Sequence, residues 1–216
     1  MVKDRLLRDL QNKIVNKFKS QEAAHDYWHI KRVVKTAKYL AEMEGADSFI
    51  VETAAWCHDV GDHKLNELES AESQITQLLN GLDYPAAVCK EVVSIVESVS
   101  YSKSKGKASS LSIEAQVVQD ADRLDAVGAI GIARCFAYAG HKGHAIYQSE
   151  KAFDWNENCE NFNKKDDSAI AHFYEKLLLL KDLLNTASAK AVGEERHVFM
   201  EHYLKQFSSE WNTFND

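Results

Sequence analysis

Apolar residues recur at helical spacing along most of the chain. Leu6, Leu7, Leu10, Ile14, Val15 and Phe18 predict an amphipathic helix over 4–19. A second helix is predicted over 28–44, stopped by Gly45. Asp47 or Ser48 caps a third, which runs through Asp59. "GLDYP" marks a turn, 85–101 forms another helical run, and "SKSKGKASS" reads as a loop. Residues 112–138 predict one long buried helix, broken or closed near Gly140, and the polar stretch 141–165 suits a long loop or short helices. Two C-terminal helices are predicted over 166–185 and 188–209. There is no internal repeat and no strand pattern, so the expected fold is all-α, a multi-helix bundle forming a single domain over 1–216.

Composition agrees with that pattern. Of 216 residues, 45% are hydrophobic, enough to bury a sizeable core. A single proline, Pro85, and nine glycines favour long helices over a sheet with frequent turns. No apolar run reaches membrane-span length, and "MVKDRLLRDLQNKIVNKFKS" lacks the apolar core of a signal peptide. The expectation is a cytoplasmic protein with no membrane partner. Cys57, Cys89, Cys135 and Cys159 are scattered without a CxxC pair, as expected of free, buried thiols rather than a zinc knuckle. A net charge of −7 argues against a stable nucleic-acid partner. Lys103, Lys105 and Lys107 form the densest basic run, read as a solvated loop or a ligand contact.

Three of the apolar stripes contain residues that do not belong in a core. One holds Asp26 and His29 with Ile30, Val33, Ala37 and Leu40. Another holds His58, Asp59 and Asp62 with Val51, Ala54 and Ala55. The third holds Asp122 and Asp125 with Val118, Ala121, Ala129 and Ile132. An unpartnered buried carboxylate costs several kcal/mol. A divalent metal between helices compensates all of them at once and accepts neutral imidazole and carboxylate as ligands. Each residue also has a plainer role. His29 could be a hydrogen-bonded core histidine, Asp59 a helix-end cap before Gly61, and Asp122 an ion-pair partner of Arg134 or Lys142. A Cys57 nucleophile is disfavoured, because Cys57 and His58 diverge on a helix and no third group orients them.

Taken in order, "HDYWHIKRV", "CHDVGD" and "DADRLDA" resemble the H…HD…D signature of the HD-domain metal-dependent phosphohydrolases. "QVVQDADRLDAVGAIGIARCFAYAGHKG" and "EERHVFMEHYLKQFSSEW" resemble the short, single-domain bacterial members, so the resemblance covers nearly the whole chain. It implies a bundle of HD-domain type with His29, His58, Asp59 and Asp122 as metal ligands. Periodicity alone leaves Asp120 and Asp122 open; the resemblance favours Asp122, between the alanine and the basic residue. It implies one divalent ion, Mn²⁺ as the first guess, with Fe²⁺, Co²⁺, Ni²⁺ and Mg²⁺ as alternatives. His63, His141 and His144 are available for a second ion, but no family motif places them there.

The activity implied is hydrolysis of phosphate esters or anhydrides, in nucleotides above all, by attack of metal-activated water. The subgroup points to a nucleoside triphosphate pyrophosphohydrolase or phosphatase. A cyclic-nucleotide phosphodiesterase and a non-catalytic nucleotide-binding or sensor module are the alternatives, and a structural helical protein would not need these carboxylates. The candidate catalytic residues are Asp62 as general base or relay, His25 towards the phosphate, and Asp125 steering Arg123 or the metal water. Lys64 and Arg123 are candidate phosphate clamps, and His141, Lys142 and His144 in "GHKGH" are candidates for phosphate or base contact. Asp62 could instead pair with Lys64, His25 could stabilise its helix start, and "GHKGH" could be an ordinary loop. The expected partner is a small phosphate substrate; the oligomeric state is open, a homodimer included.

Overall fold

The computed structural model describes residues 2–18, 27–60, 70–99, 111–148 and 168–213. The described residues form α-helices with one 3-10 segment and no strand, which is the all-α architecture the stripes predict. No described helix is long and apolar enough to cross a membrane. The chain divides into two compact units. One is built from residues 1–122 and 185–188, the other from 123–184 and 189–216.

In the first unit, α1 (Val2–Phe18) and α2 (Tyr27–Glu44) pack with α3 (Ser48–Cys57), and α5 (Ala86–Val99) packs on α3 and on α4 (Ala71–Asn80). Leu10, Ile14, Ile30, Val33, Ala37, Leu40, Val51, Ala54 and Val92 are fully buried. Each fully buried Leu or Ile contributes about 1.5–3 kcal/mol. Local chemistry sets the ends. Gly45, at φ 70°, stops α2 while Ala46 N–H closes back on the Ala41 carbonyl at 3.0 Å. Asp47 then caps α3, its Oδ1 accepting from Phe49 N at 2.8 Å and Ile50 N at 3.2 Å. α3 is shorter than predicted. It ends at Cys57, and Val60 N–H turns back onto the Cys57 carbonyl at 2.9 Å, so His58 and Asp59 lie in the turn that follows. α4 was not among the predicted elements, although Ser70 accepts from Ser73 N at 3.1 Å as its cap.

The predicted helix over 112–138 is two helices, α6 (Ile113–Asp125) and α7 (Ala129–Lys142). Gly128 separates them at φ 85°, a conformation that L side chains rarely adopt, and a Cβ there would stand 3.0 Å from the Arg196 side chain. In the second unit, α8 (Ala169–Glu175) and a 3-10 segment (Leu177–Leu183) replace the single helix predicted over 166–185. α9 covers Ala187–Asn212. Ile132, Ile170, Phe173, Met200 and Leu204 form this unit's core, with Phe173 stacked on Tyr203 at 6.0 Å. The loop expected at "SKSKGKASS" lies outside the described residues.

Candidate metal centre

Three segments of the first unit bring the predicted ligands together. His29 comes from the first turns of α2, His58 and Asp59 from the turn after α3, and Asp122 from the end of α6. His58 keeps right-handed helical backbone (φ −58°, ψ −32°) at the end of α3, and Asp59 follows in the turn. His58 Nδ1 faces the Ala55 carbonyl at 2.8 Å. A carbonyl only accepts, so Nδ1 carries the proton, and in the neutral ring Nε2 presents its lone pair. That Nε2 lies 3.2 Å from His29 Nε2.

The carboxylates complete the cluster. Asp59 Oδ2 is 3.6 Å from His29 Nε2, and Asp59 Oδ1 is 3.5 Å from His58 Nε2. Asp122 Oδ1 is 3.4 Å from His29 Nε2 and 3.9 Å from His58 Nε2. Ligand atoms of His29, His58 and Asp59 all lie within 4.8 Å of one another. Donors about 2.1 Å from a single ion stand about 3.0 Å apart on adjacent octahedral corners and about 3.4 Å apart on a tetrahedron. The spacings of 3.2–3.6 Å lie close to these values, and the 3.9 Å from Asp122 to His58 is longer. The side chains of His29 and His58 are 3% exposed and that of Asp59 12%, whereas Asp122 is 39% exposed. Solvent thus reaches the donor set from the Asp122 side. Burial pushes the Asp122 carboxyl up, but the His29 hydrogen bond and the charges of His58 and His29 outweigh it. The net pKa lies below the ordinary value.

Asp120 and Asp122 differ in their partners. Asp120 is fully buried and accepts from Asn185 N at 2.9 Å, Asn185 Nδ2 at 2.8 Å, Thr186 N at 2.8 Å and Thr186 Oγ1 at 2.8 Å. Two positions on, about 200° round α6, Asp122 faces the imidazoles. Sequence reasoning did not find Asn185 and Thr186; "NT" before α9 carries no signal that its donors meet a distant aspartate.

The other predicted residues divide into two groups. His25, Asp62, Lys64 and the unassigned His63 lie outside the described residues. Arg123, Asp125, His141, Lys142 and His144 belong to the second unit. There Asp125 binds the Arg134 guanidinium at 2.9 Å, which makes Asp125 the partner that the plainer reading had sought in Asp122. Arg123 Nη1 donates to the Leu183 carbonyl. His141 and Lys142 are exposed at the end of α7, with Lys142 Nζ 5.8 Å from the Tyr138 ring centroid.

Cys57, Cys89 and Cys135 are free and buried. Burial pushes the Cys57 thiol up to about 12, so it is protonated at neutral pH and is no nucleophile. In the native protein at pH 8, iodoacetamide should leave Cys57 unmodified, and unfolding in urea should expose it. Peptide mass spectrometry reads both states; rapid native labelling of Cys57 would contradict the buried thiol.

Comparison with known proteins agrees with the geometry. The family model of the HD domain matches residues 27–127, a span that contains all four donors. YpgQ of Bacillus subtilis is 40% identical over 193 residues, 88% of this chain and 86% of YpgQ. The chain belongs to the HD-domain superfamily. Among solved HD-type structures, YpgQ in complex with ADP superposes with a TM-score of 0.79 at 37% identity, covering 97% of each chain. An HD-superfamily hydrolase from Bacillus thuringiensis gives a TM-score of 0.76 at 39% identity, over 97% of this chain and 98% of the other. At the superfamily level the chain is an HD hydrolase.

Proposed function

We propose that the chain is a metal-dependent phosphohydrolase acting on nucleotides, with His29, His58, Asp59 and Asp122 holding one divalent ion, Mn²⁺ by preference, and with 1–216 working as one HD-type domain. The observation that carries the reading is the convergence of two imidazole Nε2 atoms and two carboxylates at 3.2–3.9 Å on one partly open site. The ADP complex of YpgQ supports a nucleotide as the ligand.

When bound, the ion would act as a Lewis acid on a phosphoryl oxygen and lower the pKa of water. The chain's own residues prepare the site for it. The Ala55 carbonyl fixes the His58 ring and its tautomer. Asp59 spans both imidazoles, holding His29 and His58 in one arrangement. Asp122 lines the solvent-open side, where a substrate enters. Asp62, His25 and Asp125 remain the candidates for proton transfer and steering, and Lys64, Arg123, His141, Lys142 and His144 those for phosphate and base contact. Asp125 and Arg123 would have to exchange their present partners, Arg134 and the Leu183 carbonyl.

The test is a nucleotide panel with Mn²⁺ and the other divalent ions, scoring phosphate against pyrophosphate release. Turnover of nucleoside triphosphates, lost on chelation and restored by Mn²⁺, is the expected result. Binding of nucleotides without turnover of any phosphorylated compound would replace the enzyme by a sensor module.

A further inference from the structure

We propose a second ligand site, for a nucleoside phosphate, on the side of α2 away from the metal centre. The proposal stands on the first unit alone and does not depend on the phosphohydrolase reading. A cavity of about 670 Å³ opens there, lined by Trp28, Lys31, Arg32, Lys35 and Lys38 of α2 and by Trp56 of α3. Lys31 and Lys38 lie about 200° and 180° round the helix from His29, so the cavity and the imidazole occupy opposite sides of α2.

Its charge is unusual for this chain. Among the described residues that line it, Lys31, Arg32, Lys35 and Lys38 are cationic and Glu52, bound to Lys38 at 2.8 Å, is acidic. Lys31 and Lys35 have no carboxylate within ion-pair distance among the described residues. The described lining is therefore positive on a protein whose net charge is −7. A concave site of one sign concentrates anions of the other.

The wall is aromatic. Trp28 is 59% exposed, with Lys31 Nζ 5.2 Å from its ring centroid. Tyr27 stacks on Trp56 at 6.4 Å, and the buried Trp56 Nε1–H has no acceptor among the described residues. An exposed indole beside several ammonium groups suits a flat ring that carries phosphate. The volume lies within the range of about 300–1,000 Å³ usual for small-molecule sites. A concave aromatic wall fits a small ligand better than an acidic peptide, and the net charge of −7 repels a long nucleic acid.

The experiment is calorimetric titration of the Mn²⁺-loaded full chain with α,β-methylene-ADP, which resists cleavage between its phosphates. The wild type should show two classes of site. Asp122→Asn should remove one class. Lys31→Glu/Lys35→Glu should weaken the other at least about tenfold, as should Trp28→Ala, while Trp28→Phe retains most of it. Adenosine and pyrophosphate should each bind this class more weakly than the analogue. The proposal is overturned if Asp122→Asn removes all binding, or if neither α2 variant changes it. It is also overturned if pyrophosphate or a glutamate decapeptide binds as tightly as the analogue. Loss in the α2 variants with no change in Asp122→Asn would uphold this site and count against the metal-centre reading.

Discussion

Asp59→Ala should strip the metal from the protein and lower nucleotide hydrolysis by about 10³-fold or more, equivalent to about 4 kcal/mol of transition-state stabilisation. Asp59 meets each imidazole with a separate oxygen, Oδ2 to His29 at 3.6 Å and Oδ1 to His58 at 3.5 Å. Removing it leaves one carboxylate, Asp122, to balance a divalent charge. It also frees the rings from the group that sets their spacing. Cys57→Ala is the matched control, two residues away. Its thiol is buried and protonated, so its loss should cost stability of about 1 kcal/mol by cavity formation and leave turnover near wild type. Metal content by plasma mass spectrometry and phosphate release read the two variants side by side. If Cys57→Ala kills hydrolysis while Asp59→Ala keeps both metal and rate, the centre is assigned to the wrong residues.

The largest effect on stability should come from Asp120→Ala. Its carboxylate is fully buried and collects two backbone N–H groups, one amide and one hydroxyl from Asn185 and Thr186. Truncation takes their shared acceptor away, while Asn185 Nδ2 keeps its bond to Gln119 Oε1 at 3.0 Å. The total loss should be about 3–5 kcal/mol. Asp120→Asn should recover little, because its amide N–H₂ would face donors. The urea midpoint reports the loss. Asp122→Ala should do the converse, removing metal with a much smaller shift in the midpoint of the metal-free protein. Equal midpoints for Asp120→Ala and the wild type would show that the Asn185–Thr186 anchor contributes nothing.

Features written in a few adjacent residues were legible in the sequence. Gly45 as the stop of α2 and Asp47 as the cap of α3 depend only on neighbours, and the structure has both. The break at Gly128 was not legible, because the apolar period continues across it and a positive φ leaves no trace in periodicity. α3 ends early for a similar reason, a turn closed by Val60 N–H rather than by a glycine or proline within it. The meeting of His29, His58 and Asp59 could be anticipated because histidine and aspartate on apolar faces conflict with burial. That Asp120 is held by Asn185 and Thr186 could not be read from the helix itself. It depends on Asn185, 65 residues from Asp120, whose donors are visible only once the chain has folded.

The central claim is that His29, His58, Asp59 and Asp122 hold a single divalent ion. Anomalous diffraction at the manganese edge from crystals grown with Mn²⁺ tests it most directly. The account predicts one peak, bounded by His29 Nε2, His58 Nε2 and the carboxylates of Asp59 and Asp122. A peak elsewhere, or these four side chains in direct contact with no ion between them at saturating Mn²⁺, would contradict it.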